Sequence, residues 1–164
     1  MTATSTITPA QRLAALEGRA AAWLNANGRT ALRLSMGAVF LGFGLLKFFP
    51  GVSPAEGMAV ATFDQLTLGL LPEAVSRLFV ATFETVLGVL LLTGWFARIA
   101  IGLLAMQIVG ILSPLVLLTG ELFAGPFGAP TLEGQYVLKD VILASAALVI
   151  AGDMLLARPE RASR

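Results

Sequence analysis

Residues 74–96 read AVSRLFVATFETVLGVLLLTGWF, a run of apolar residues in which the charged side chains are Arg77 and Glu84. About 20 apolar residues in a helix cross the hydrocarbon core of a membrane. Glu84 would then lie near the middle of the bilayer, where a carboxylate costs about 2.5–3.5 kcal/mol on insertion scales. The stretch therefore predicts a transmembrane helix in which Glu84 faces a partner or a water-filled cavity.

Three more apolar blocks of spanning length flank this one, at residues 31–49, 97–118 and 135–157. The chain of 164 residues is 57% hydrophobic and 13% charged, whereas soluble domains carry about 25% charged residues. We therefore expect a single-domain, all-α membrane protein. Its core is predicted to be a four-transmembrane-helix bundle over residues 31–157.

The segments outside the spans differ in charge. Residues 1–30 are predicted to be a cytoplasmic segment, partly disordered, with an amphipathic helix over residues 9–25 on the membrane surface. Residues 158–164 form a basic tail, and Arg98 lies in the tight turn between the second and third spans. The other two loops are mainly acidic. Because cytoplasmic loops are enriched in Lys and Arg, both termini are predicted to be cytoplasmic.

The loop at residues 50–73 is too long for a simple turn. Ser53, Pro54 and Glu56 have the order of an N-cap, a first-turn proline and a capping-box acid. They predict a short interfacial helix from Ser53 to about Leu71, in the first extracytoplasmic loop. The loop at residues 120–134 contains several Gly and Pro residues and is expected to be irregular.

Six polar residues within the spans are candidates for function. At about 1.5 Å per residue, the ionisable ones lie in the outer half of the bundle and the glutamine near mid-depth. Helical spacing would allow them to face a common polar pocket that opens outward. Two are candidate catalytic, proton-transferring residues, Glu84 and Lys139; four are candidate ligand-binding residues, Lys47, Gln107, Tyr136 and Asp140.

Each of these residues also has a purely structural interpretation. Lys47 and Lys139 could extend to the membrane interface as anchors, and Asp140 could neutralise a neighbouring lysine. Glu84 could be an ion-pair partner that sets helix register. Gln107 would then be an interhelical hydrogen-bond donor, and Tyr136 part of an interfacial aromatic belt.

Missing residue types exclude several kinds of chemistry. The chain has no Cys and no His, which excludes disulfides, iron–sulfur ligation and His-ligated haem and removes the preferred ligands of zinc and copper. We expect no metal site and no covalently bound cofactor. The net charge of +1 argues against nucleic acid as a partner.

Three segments together resemble one family of bacterial membrane proteins. Residues 33–51 read RLSMGAVFLGFGLLKFFPG, residues 83–100 FETVLGVLLLTGWFARIA, and residues 134–150 GQYVLKDVILASAALVI. They are similar to the DoxX/DoxD-like family over roughly residues 31–156. The residues that carry the pattern are Arg33, Gly37, Lys47, Glu84, Gly88 and Lys139.

This resemblance implies a four-helix protein of the bacterial plasma (inner) membrane. Some relatives are linked to quinone-dependent sulfur oxidation, as subunits of a thiosulfate–quinone oxidoreductase, and others to oxidative-stress defence. The implied role is a quinone- or lipid-binding subunit of a membrane redox or stress-defence assembly. Quinone would be its non-covalent cofactor, and it would have a membrane or peripheral redox partner.

Two other functions stay open, as does the question whether the protein is an enzyme. One is a small proton-coupled transporter or efflux unit, in which Glu84 titrates. Four spans are few for a transport path, so this function needs a homo-oligomer. The other is a non-catalytic membrane scaffold, in which loops or the N-terminal helix dock a partner.

Overall fold

A computed structural model describes residues 8–156 of the chain. This part is helical and contains no strand, which confirms the all-α prediction. Its helices are α1 (Pro9–Leu46), α2 (Glu56–Leu66), α3 (Glu73–Thr93), α4 (Ala97–Leu112), α5 (Pro114–Leu117), α6 (Thr119–Leu122) and α7 (Leu132–Leu156), with a 3-10 turn at Pro126–Gly128. The basic tail and residues 1–7 of the segment predicted to be partly disordered lie outside the described residues.

Three helical stretches are long and apolar enough to cross a membrane: Pro9–Leu46, Glu73–Thr93 and Ala97–Leu117. They expose many large apolar side chains, among them Leu78, Val86 and Val109. Such a continuous apolar exterior suits lipid and not water. The fourth predicted span corresponds to α7, which has 25 residues; its membrane crossing stays a prediction.

The closest helix pair is α1 and α3, which run antiparallel with glycines between them. A Cβ on Gly88 would lie 2.5 Å from the backbone nitrogen of Leu41, and one on Gly44 would lie 2.7 Å from that of Thr85. These distances are too short for any side chain, so glycine permits the two backbones to approach. The close approach brings the C-terminal end of α1 against the middle of α3.

One apolar core joins four helices on the cytoplasmic side of the predicted topology. Its buried members come from α1, α3, α4 and α7: Met36, Phe40, Leu87, Leu91, Ala100, Leu104, Ala147, Ile150 and Met154. A smaller cluster of Leu118, Leu122 and Val137 lies at the opposite end. The polar residues of interest therefore lie among helices whose packing is fixed by apolar contacts.

An arginine closes the C-terminal end of α3. The Nη1 atom of Arg33 donates hydrogen bonds to the carbonyl oxygens of Leu91 and Leu92, which would otherwise be unpaired at a helix end. Gly94 follows in the left-handed conformation, with φ of 70°, as is common just after a helix. Arg33 thus ties α1 to the end of α3.

The N-terminal half of α1 departs from the predicted organisation. A helix is present from Pro9, with Thr8 and Gln11 forming its capping box, but it continues without a break to Leu46. The predicted boundary at residue 30 is therefore not a boundary between helices. Residues 8–27 are exposed throughout. Their contact with the membrane surface stays a prediction.

The short helix after α1 is present, but its predicted start and cap are wrong. The helix begins at Glu56 and ends at Leu66, without a side-chain cap. Ser53 makes no capping bond among the described residues, since the backbone N–H of Glu56 donates to the Ser53 carbonyl oxygen and not to its hydroxyl. The Glu56 carboxylate, expected to complete the capping box, accepts from the backbone N–H of Gly51 instead and is 3.5 Å from the Nη1 atom of Arg77. The position of α2 at a membrane interface is not decided by these contacts.

The other element ends shift for local reasons. The third predicted span is interrupted at Ser113, since Pro114 lacks the N–H that would continue α4. The loop expected to be irregular contains α6 and the 3-10 turn. α7 starts at Leu132, where the Oγ1 atom of Thr131 accepts a hydrogen bond from the N–H of Gly134.

Candidate functional site

Lys47 and Glu84 form a buried ion pair between α1 and α3. The Nζ atom of Lys47 is 2.6 Å from the Oε2 atom of Glu84, and the two side chains are 4% and 10% exposed. The sequence-based prediction that Glu84 faces the interior beside a lysine is confirmed for Lys47. The pairing is expected on energetic grounds, because an unpaired carboxylate near the middle of the bilayer is costly.

The local backbone explains why these two residues meet. Lys47 is the first residue after α1, and its N–H still bonds to the carbonyl of Gly44. A Cβ on Gly44 would lie 3.0 Å from the Cβ of Glu84, so a larger residue there would displace Glu84. The flexible lysine side chain then covers the remaining distance to the carboxylate.

The pair leaves hydrogen-bonding capacity unused. A lysine ammonium has three N–H donors and a carboxylate accepts at both oxygens. Within residues 8–156, the Lys47 ammonium donates one hydrogen bond, to Glu84, and it lies 5.9 Å from the ring centroid of Phe43. The Oε1 atom of Glu84 has no donor in the same part of the chain. A polar group brought to this pair could therefore both accept and donate.

Asp140 and Gln107 are the other candidate residues that are at least half-buried. Asp140 is half-buried on α7. Gln107 is 8% exposed on α4. The short connection at Gly94–Phe96 joins the neighbouring ends of α3 and α4, so Glu84 and Gln107 lie at similar depth, about 14–15 Å from it. The predicted inward orientation is thus present for both Asp140 and Gln107.

Tyr136 and Lys139 are not part of this interior, so the common polar pocket that helical spacing would allow does not include them. Tyr136 is 59% exposed, Lys139 is exposed, and the Lys139 ammonium lies 5.4 Å from the Tyr136 ring centroid. The rotation of α7 about its axis explains this exposure, since the buried face near its N-terminal end contains Gly134 and Val137. Among the described residues, Lys139 forms no salt bridge.

Two polar contacts were not anticipated from the sequence. One is the Arg33 bond to the end of α3, and the other is the pair of Arg77 and Glu56 at 3.5 Å. Both arginines were visible as charges at span ends, but their partners are carbonyls and a loop acid far away in sequence. Only the packing of α1 and α2 on α3 brings these groups together.

An apolar groove lies on the surface of α3 and α4. It has a volume of about 210 Å³ and is lined by Phe79, Thr82, Phe83, Val86 and Leu103. The Phe79 ring stacks against Phe83, with centroids 6.0 Å apart. The groove therefore follows the helix turn that carries Glu84, on the side that faces away from α1.

Comparison with known proteins identifies the family of this chain. The family model described as DoxX matches residues 28–122, more than half of the chain. The matched range includes Lys47, Glu84 and Gln107, and it ends before α7, which carries Tyr136, Lys139 and Asp140. No curated protein matches the chain, and no solved structure matches it.

Proposed function

The chain belongs to the DoxX family of membrane proteins, and from this premise we propose that it binds the polar headgroup of a quinone or lipid at the Lys47–Glu84 pair. It would do so as a subunit of a membrane redox or stress-defence assembly. The observation that carries the proposal is the buried pair at 2.6 Å with unused donors and an unused acceptor.

The energetics of the pair favour a functional role. A buried ion pair is often no more stabilising than apolar residues of similar volume. Helix packing here does not need the charges, because apolar contacts and glycines already hold α1 on α3. A pair that contributes little net stability, and that keeps hydrogen-bonding capacity, is suited to a polar ligand.

The residues present fit a quinone headgroup. The Lys47 ammonium can donate to a carbonyl oxygen, while the Glu84 carboxylate balances its charge and can accept a proton. A bound quinone would itself supply the electron chemistry.

The membrane arrangement belongs to the same proposal. α7 would be the fourth span, and α2 would lie at the outer surface. Both termini would be on the cytoplasmic side of a bacterial inner membrane, as the Lys and Arg distribution favours. Cysteine-scanning accessibility would test it: residues 57 and 125 should react from outside and the C-terminus from inside.

The ligand proposal is tested in lipid nanodiscs with variants in which one or both charges of the Lys47–Glu84 pair are removed. Binding of a short-chain ubiquinone is measured for the native protein, for Glu84→Gln and for the double variant Lys47→Met/Glu84→Leu. The double variant removes both charges together, so it should fold about as stably as the native protein. We expect it to bind the quinone at least about tenfold more weakly, since charged hydrogen bonds contribute about 1.5–3 kcal/mol.

The matched control is the neutral pair Arg77→Met/Glu56→Gln at the outer end, which should leave quinone affinity unchanged. If the folded Lys47→Met/Glu84→Leu protein binds quinone as well as the native one, the pair is structural and the proposal fails. Mass spectrometry of co-purified lipids and quinones should show the same loss in that variant.

A second candidate function, a membrane scaffold, is favoured by the N-terminal half of α1. Leu13, Leu16, Trp23 and Leu24 are each about 60% exposed on a helix segment that nothing in residues 8–156 covers. Deletion of residues 9–27 would then abolish co-purification of a partner from native membranes while leaving quinone binding intact. Loss of quinone binding with unchanged partners would contradict the scaffold.

A further inference from the structure

An acidic basin lies at the end of the molecule opposite the α3–α4 turn. It has a volume of about 610 Å³ and lies between the segment after α1, the helix α2 and the start of α3. The polar residues that line it are Ser53, Glu56, Asp64 and Glu73. Its size is within the range of about 300–1,000 Å³ that is usual for small-molecule sites.

The basin carries excess negative charge. Glu56 is held by the Gly51 N–H at 2.9 Å and lies 3.5 Å from Arg77, so one acid is neutralised at the wall. Asp64 and Glu73 form no salt bridge within residues 8–156. Two carboxylates therefore face a shared space without a cation of the described chain.

A buried hydroxyl in the same wall lacks a partner. Ser53 lines the basin and is 5% exposed, yet its Oγ atom makes no hydrogen bond within residues 8–156. Buried polar atoms in proteins are nearly always paired. A polar group that enters the basin would supply the missing partner.

We propose that this basin binds a linear organic polyammonium ion. The described residues contain no group of three or more acidic side chains that could hold a metal ion. Asp64 and Glu73 would instead each pair with a separate charge on one extended molecule. Ammonium groups would donate to Asp64 and Glu73, and a further N–H would donate to the Ser53 hydroxyl. This site is independent of the quinone or lipid site proposed above.

The test uses the full chain in nanodiscs of zwitterionic lipid, with spermidine as the probe and empty nanodiscs as the blank. Isothermal titration should show saturable binding of one spermidine that weakens as salt rises. Butylamine, with a single ammonium, should bind at least about tenfold more weakly. Equal binding of both amines, or no saturable binding of spermidine, would overturn the proposal.

The variants identify the site. Glu73→Gln and Asp64→Asn should each weaken spermidine binding about two- to fivefold, the range for exposed charge pairs. Ser53→Ala should weaken it about two- to tenfold, the range for a neutral hydrogen bond. Glu133→Gln is the matched control, because Glu133 is a first-turn acid of α7 as Glu73 is of α3, but lies outside the basin. Equal effects of Glu133→Gln and Glu73→Gln would refute the assignment.

Discussion

Two ion pairs, one with a cation from α1 and one with a cation from the C-cap residue of α1, differ in their surroundings. Lys47 lies 2.6 Å from Glu84 of α3, with side chains 4% and 10% exposed. Arg29 lies 3.4 Å from Asp153 of α7, with side chains 57% and 34% exposed. In water, such a pair gains little, whereas a buried pair cannot lose one member without leaving an uncompensated charge. The loss of one charge should therefore cost more stability at the Lys47–Glu84 pair than at the Arg29–Asp153 pair.

Glycine packing produces this difference. Near Lys47, the backbone of α1 contacts α3 through Gly44 and Gly88, and side chains added there would collide with backbone atoms. Near Arg29, a Cβ added to Gly28 would meet nothing within 4 Å. The face of α1 that carries Phe40 and Gly44 is thus buried, and a charge that lies on this face must be paired.

The largest expected effect is that of breaking the buried pair. Lys47→Met should destabilise the protein by about 3–5 kcal/mol, because Glu84 remains buried without its cation. Arg29→Met should cost at most about 1 kcal/mol, as for other exposed pairs. Unfolding in mixed detergent micelles, followed by circular dichroism, measures both. Similar losses for the two variants would remove the distinction between the pairs.

A smaller loss of stability is expected at the C-terminal end of α3, where Arg33 of α1 donates hydrogen bonds to carbonyl oxygens. Arg33→Met should cost about 1.5–3 kcal/mol, the range for hydrogen bonds from a charged group, because carbonyls of Leu91 and Leu92 lose their donor. Hydrogen exchange should show faster exchange in the last turn of α3 and little change near Glu84. Unchanged protection of that turn would contradict the capping role.

Next in size is the effect of separating the two helices. Gly88→Ala places a methyl group 2.5 Å from the Leu41 nitrogen and should cost about 1–3 kcal/mol by overpacking. Gly42→Ala is the matched control, since a Cβ there meets nothing within 4 Å and alanine favours a helix by about 0.5–1 kcal/mol. In the same unfolding assay, Gly88→Ala should lower the free energy of unfolding and Gly42→Ala should raise it. A change in the same direction for both variants would argue against close packing.

The smallest effect is expected in the uncovered half of α1. Leu16, which is 61% exposed, should tolerate Leu16→Ala within about 0.5 kcal/mol in detergent, as surface substitutions usually do. Leu91→Ala in the core, where Leu91 is 0% exposed, should cost about 2–5 kcal/mol. A large loss for Leu16→Ala in native membranes alone would indicate that a partner covers this half.

Much of the architecture could be predicted from the sequence because helix length and apolar content are local properties. The spans around Glu84 and Gln107 needed only the known thickness of a bilayer and the cost of a buried charge. The predicted capping box at Ser53 is absent, and the Glu56 carboxylate contacts Gly51 and Arg77 instead. Those partners meet Glu56 only after the loop folds, so no local rule could have identified them.

The sequence by itself determined that the chain forms membrane helices and that Glu84 needs a partner inside them. The tertiary structure decided which lysine that partner is. Lys47 and Lys139 were equally suitable by charge and depth, but each residue turns a helix by about 100°. The packing of α1 on α3 places Lys47 against Glu84, while the rotation of α7 leaves Lys139 beside Tyr136 on the exterior. Rotation of a helix about its axis is set by the fit of its whole surface against its neighbours, and no single stretch of sequence contains that fit.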